Sequence, residues 1–117
     1  MIDLAGAVSF HHKVLDGVAL RQRIVSHNLA NQNTPGYRAM MVPFASVLSA
    51  AMTRSGSIDH VEFKAVHDPD ATENSNGNSV DVEHEMMLME ENRILNEVFS
   101  RTAGGTFRSI LKAIRGS

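Results

Sequence analysis

The stretch LAGAVSFHHKVLDGVALRQRIVSHNLAN, residues 4–31, decides the fold. Stepping through it by alternating fours and threes picks out Leu4, Val8, His11, Leu15, Val18, Gln22, Val25 and Leu29. This is a largely apolar row with a seven-residue period, and it predicts one helix over residues 4–31, roughly 40 Å long. So narrow a stripe suits a partner helix better than a broad globular core. Asp3 is placed to cap the start. Gly6 and Gly17 each weaken an isolated helix by about 1 kcal/mol relative to Ala, which points to a helix stabilised by what it packs against.

Downstream of this helix comes a sharp stop, Asn31-Gln32-Asn33-Thr34-Pro35-Gly36-Tyr37. Pro35 cannot continue the hydrogen-bond ladder and disfavours helix at Thr34. Pro35-Gly36 fits the central pair of a type II turn, with Gly36 supplying the positive φ. Residues 38–52 form a short mixed segment broken by Pro43. In residues 53–79, Ile58, Val61, Phe63 and Val66 suit a short strand or hairpin arm, and HDPDATENSNGN (67–78) is a polar turn-and-loop region. A second helix is expected from Val80 to about Arg115, capped by Asp81, with Glu83 and Glu85 facing the positive end of its dipole. Its apolar stripe is Leu88, Leu95, Phe99, Ala103, Ile110 and Ile114, and Gly104-Gly105 marks a possible kink. The expected fold is thus mainly α: one domain over 1–117, with an N-terminal helix (1–33), a turn, short elements and polar loop (34–79), and a C-terminal helix (80–117). The two long helices would pair as a coiled coil around a short irregular or β-hairpin middle.

Chemistry fails quickly. The six His fall at 11, 12, 27, 60, 67 and 84 without the i, i+4 spacing of a helical zinc site. Asp68-Pro69-Asp70 opens like a calcium loop, but the positions that demand Gly and Glu hold Glu73 and Ser79. There is no nucleophile elbow and no phosphate loop, so neither catalytic residues nor a cofactor, metal or small-molecule substrate is expected. The net charge of −2 gives no footprint for nucleic acid. Arg101, Arg108, Lys112 and Arg115 could bind acidic surfaces, but they also complement the negative end of a helix dipole, the reading favoured here. Six acids against one Arg between Asp81 and Glu97 read equally well as a solvated face or as counter-charges for neighbouring chains. Cys is absent. No stretch is long and apolar enough to span a membrane, and the start lacks the pattern of a cleaved secretory signal.

The residues Asn28, Ala30, Asn31, Thr34, Pro35, Gly36 and Tyr37, within Ser26–Arg38, resemble the Asn-x-Ala-Asn-x-x-Thr-Pro-Gly-Tyr signature of the flagellar axial family, the rod and hook proteins. A second match, Gly77-Asn78-Ser79-Val80-Asp81-Val82-Glu83-x-Glu85-Met86, resembles the start of that family's C-terminal helix. Glu91-Asn92 and the ending from Phe107 to Gly116 fit as well. Only about forty residues separate the motifs, which favours one of two related short proximal-rod types over hook members with inserted domains. The family's usual aromatic is absent at Asn96, and basic residues are missing near Gly104-Gly105. These departures leave the helix packing of residues 96–106 open.

The resemblance implies a non-enzymatic subunit, exported through the flagellar type III apparatus without a cleaved signal. It would stack into the periplasmic rod of the basal body and transmit torque. The implied partners are copies of itself and other rod proteins, and the rod adaptor, membrane-ring and export-gate proteins. The motif would then be the assembly element. The packing seam would be Leu4, Val8, Leu15, Val18, Val25 and Leu29 against Leu88, Leu95, Phe99, Ile110 and Ile114. A small helical adaptor or DNA-binding regulator is the reading from another class.

Overall fold

The computed structural model describes the backbone at residues 4–53 and 62–115, and side chains at 10–47, 49 and 62–101. The chain is mainly helical. In order come α1 (Leu4–Ala30), β1 (Met40–Met41), α2 (Phe44–Thr53), β2 (Val66–His67) and α3 (Val82–Arg115). The molecule is elongated, 60 × 27 × 15 Å, because its mass lies along two long helices that pack on each other.

These helices run antiparallel. Phe10 meets Phe99 near one end, Arg21 meets Asn92 midway, and Asn28 meets Glu85 at the other. On α1 the buried row is Val14, Val18, Arg21, Val25 and Asn28, a four-three-four-three spacing that keeps one face on α3. Two members of that row are polar, and both bond to α3. Of the seam expected from apolar periodicity, Val18 and Val25 are buried, whereas Leu15, Leu29, Leu88, Leu95 and Phe99 are half-buried. Gln22 is exposed. Leu4, Val8, Ile110 and Ile114 lie outside the residues whose side chains are described, as do Asp3, Ile58 and Val61 among the other expectations.

The middle differs from expectation in two respects: Phe63, expected on a strand with Val66, lies before β2 and stacks on Phe44 instead, and the segment after β1 is helical. Pro43 opens a helix rather than breaking a segment, since its carbonyl accepts the first helical bond from the Val47 N–H at 3.1 Å. Proline lacks an N–H and has a helical φ, so the start of a helix is where it costs least. The two short strands pair antiparallel, Met40 opposite His67 and Met41 opposite Val66, with α2 between them in sequence. α3 starts on Asp81, whose Oδ1 accepts from the His84 N–H at 3.2 Å. It continues through Gly104 and Gly105 as helix.

Gly17 shows why α1 carries a helix-weakening residue at mid-length. The rings of Phe44 and Phe63 stack at 5.2 Å, and their edges lie against Gly17. A Cβ there would sit 2.8 Å from Phe44 and 2.9 Å from Phe63. Gly17→Ala gains about 1 kcal/mol of helix propensity. It also forces rigid rings apart, an overpacking cost of about 1–3 kcal/mol. A net loss is expected in urea unfolding, and a more stable variant would show that the aromatic pair does not rest on this glycine.

Candidate assembly site

The end of α1, the turn after it and the start of α3 form one hydrogen-bonded unit. It is built on asparagines because a carboxamide can donate twice and accept twice from a small volume. Asn28, with no exposed surface, uses all four valences. Its Nδ2 donates to the Met40 carbonyl at 2.8 Å and to Glu85 Oε1 at 3.0 Å. Its Oδ1 accepts from the Tyr37 hydroxyl at 2.7 Å and the Met40 N–H at 3.0 Å. One side chain thereby joins α1, the turn, β1 and α3.

The turn has the geometry its spelling demands. Gly36 has φ 75°, and the Tyr37 N–H donates to the Thr34 carbonyl at 3.2 Å. That is a type II turn with Pro35 and Gly36 at its centre. Asn31 Nδ2 donates back to the His27 carbonyl, and its Oδ1 accepts from the Thr34 hydroxyl. Ala30, Thr34, Pro35 and Gly36 are exposed, Asn31 and Tyr37 half-buried, and the Tyr37 ring meets His27 edge-on at 5.6 Å.

The two stretches of sequence that carry the resemblance meet here. Asn78, also without exposed surface, donates to the carbonyls of Asn31 at 2.8 Å and Thr34 at 2.7 Å, and its Oδ1 accepts from the Val80 N–H at 2.8 Å. It therefore adds a side-chain donor to two carbonyls of the turn after α1, each of which also accepts a backbone turn bond. The Gly36 N–H donates to the Asn76 carbonyl, the Ser79 N–H to the Tyr37 carbonyl, and the Ala39 N–H to Ser79 Oγ. Gly77, with φ 82°, stands against Gly36, 3.4 Å from where its own Cβ would be.

A third cluster lies halfway along the helix pair. Arg21 Nε donates to Asn92 Oδ1 at 3.0 Å and its Nη2 to Glu91 Oε1 at 3.2 Å, with the guanidinium 4.9 Å from the Phe44 ring centre. Asn92 Nδ2 donates to the Val18 carbonyl at 2.8 Å. Arg21, Asn78, Ser79, Glu85 and Asn92 were not singled out by sequence reasoning as packing residues. Only Arg21 has phase as its one sequence signal, lying seven before Asn28 on α1, whereas Asn78, Ser79, Glu85 and Asn92 stand in the stretches that carry the resemblance.

Glu85 is the electrostatic weak point. It is 4% exposed, Oε1 is held by Asn28, and Oε2 is buried without a hydrogen-bond partner. Burial raises its pKa above the ordinary carboxylate range, and the Asn28 hydrogen bond only partly opposes this. Burial, and then the Glu85 charge, raise the Tyr37 hydroxyl as well. A native carboxyl that binds its proton more tightly than in the unfolded chain stabilises the fold below its unfolded pKa. That stability is lost as pH rises through the raised native value. Glu85→Gln is therefore expected to flatten the fall in stability that the parent shows from mildly acidic to neutral pH. Parallel pH profiles for the two chains would contradict this.

Among the described residues no cluster of three or more His, Asp or Glu could hold a metal ion, and no helix is long and apolar enough to cross a membrane.

No family model matches the chain. Curated proteins do match, over nearly the whole length of both partners. Flagellar basal body rod protein FlgB of Borreliella burgdorferi is 28% identical, over 94% of this chain and 96% of the relative. The chain is a homologue of flagellar rod protein FlgB. The Bacillus subtilis FlgB is also 28% identical, over 96% of this chain and 95% of its own length. The Salmonella typhimurium FlgB is 27% identical over 99% of each. That last alignment spans 136 positions against the 117 residues of this chain, so the relative carries residues this one lacks. Eight such relatives bear the FlgB name, and FlgC, the other short rod type, is not supported.

Proposed function

We propose that this chain is a structural subunit of the proximal rod of the bacterial flagellar basal body, stacking helically to carry motor torque. The observation that carries this reading is the end-to-end similarity to FlgB from several bacteria. The role is mechanical rather than enzymatic. All of 1–117 acts as one rod-protein domain, in which the N-terminal helix (1–33) and C-terminal helix (80–117) pair as a coiled coil and residues 34–79 lie between them. The antiparallel contacts of α1 and α3 and the seven-residue spacing of their buried rows support that pairing.

A rod also needs contacts between subunits. Met86, Met87 and Ile94 on α3 are each about half exposed, so apolar surface remains for neighbours after α1 is docked. Heterologous contacts that do not close on themselves would build the helical array. The neighbours are copies of the chain and other rod proteins. Where the rod begins they are the rod adaptor, membrane-ring and export-gate proteins, and the chain reaches the periplasm through the type III apparatus. Deleting the gene should abolish motility and leave basal bodies without rods in electron micrographs, and the parent gene should restore both. Normal rods in the deletion strain would refute the reading.

A further inference from the structure

We infer that Asn76-Gly77 is a modification site: when the junction between α1 and α3 opens, Asn76 converts to isoaspartate, and the product prevents the junction from closing again. It is the one Asn-Gly step in the chain. Glycine has no Cβ to crowd its backbone nitrogen, so that nitrogen reaches the carboxamide carbon of a preceding asparagine more readily than any other residue's does. Water is the other reactant. The Gly77 nitrogen gives up its proton and attacks Asn76 Cγ, the bond from Cγ to the side-chain nitrogen breaks, and ammonia leaves carrying the proton. Water then opens the cyclic imide at either carbonyl, to aspartate or to isoaspartate. In isoaspartate the main chain runs through Cβ and Cγ, one methylene longer, and the former Asn76 carbonyl has become a free carboxylate.

The fold both presents this asparagine and restrains it. Asn76 is exposed to water. Its Oδ1 accepts from the Asn78 N–H at 3.1 Å, a donor placed on the oxygen that gains charge as the ring closes. The attacking nitrogen is held back, since the Gly77 N–H donates to the Asn74 carbonyl at 2.9 Å. On the other side of the same peptide, the Asn76 carbonyl accepts from the Gly36 N–H at 3.0 Å. Loss of the Gly77 proton breaks the first bond, and turning the peptide plane to close the ring pulls against the second. The closed junction therefore holds the reaction in check.

Isoaspartate, once made, no longer fits this arrangement. The Gly36 N–H loses its acceptor, because that oxygen has left the main chain, and the added methylene moves Gly77 off Gly36, against which it packs. Asn78 follows directly, so its bonds to the carbonyls of Asn31 and Thr34 shift as well. Ordinary aspartate, the other product, leaves the backbone as it is and keeps an oxygen for the Asn78 N–H. The two products carry the same charge but differ in what they do to the junction.

The full chain is incubated at mildly alkaline pH, folded or in guanidinium chloride, and isoaspartate at residue 76 is followed by mass spectrometry. Reaction through the open junction alone makes the folded chain at least about tenfold slower than the unfolded one. Asn78→Ala should raise the folded rate toward the unfolded rate, whereas Gly17→Ala, far along α1, should leave it unchanged. Chain carrying isoaspartate should lose amide protection at Gly36, while Asn76→Asp, with the same charge on an ordinary backbone, should keep it. Equal rates in the folded and unfolded parent would overturn the inference, as would an isoaspartate chain whose Gly36 is as protected as the parent's. So would an Asn78→Ala rate no higher than the parent's, or equal acceleration by Gly17→Ala, which would tie the reaction to unfolding of the whole helix pair. If Asn78→Ala does not fold, the rates of the parent and the protection of Gly36 decide.

Discussion

Asn28→Asp is expected to lose more than about 3 kcal/mol of stability at neutral pH, although it changes one buried NH₂ for an oxygen and opens no cavity. Two donors vanish, so the Met40 carbonyl and Glu85 Oε1 each face an acceptor, the latter at a site where the present separation is 3.0 Å. Two carboxylates in one buried place cannot both be ionised, and the pair must take up a proton. The loss should accordingly shrink as pH falls, because the shared proton is bound more tightly in the folded chain than in the unfolded one. Urea unfolding at several pH values reads both effects. A variant within about 0.5 kcal/mol of the parent at neutral pH would mean that Asn28 is not the junction described here.

Asn78→Ala is expected to cost about 2–4 kcal/mol, and in a particular place. It removes the side-chain donor from the carbonyls of Asn31 and Thr34, which keep only their turn bonds, and the acceptor from the Val80 N–H, three bonds in a fully buried spot. Amide exchange should quicken at Gly36, Ser79 and Val80, whose N–H groups bond across this junction. Protection in the middle of α1, around Val18 and Val25, should persist. Uniform loss of protection along α1 would show that the asparagine supports the whole helix pair and not the junction.

Much of the architecture could be read from the residues, but not the phase of the packing. Apolar periodicity marks α1 and its seven-residue spacing. It selects Leu15, Gln22 and Leu29 where the buried row has Val14, Arg21 and Asn28, and only Val18 and Val25 are common to both. Arg21 and Asn28 are buried because Glu85, Glu91 and Asn92, some sixty to seventy residues away, supply their partners. A rule that ranks residues by hydropathy cannot see such a match. The turn was legible to the level of one dihedral angle, since Pro-Gly chemistry is local. α2 was not, because a proline that opens a helix is spelled like one that breaks it. The motif around Thr34-Pro35-Gly36-Tyr37 and the one around Gly77-Asn78-Ser79 were both visible, whereas their meeting depends on the chain closing across more than forty residues.

The most direct measurement is electron cryomicroscopy of basal bodies purified from cells that carry this chain. Density for α1 and α3 should appear as an antiparallel pair in the wall of the proximal rod, with the Asn28 side chain bridging Met40, Tyr37 and Glu85. A rod wall that accommodates no such pair, with the chain recovered elsewhere in the cell, would contradict the account.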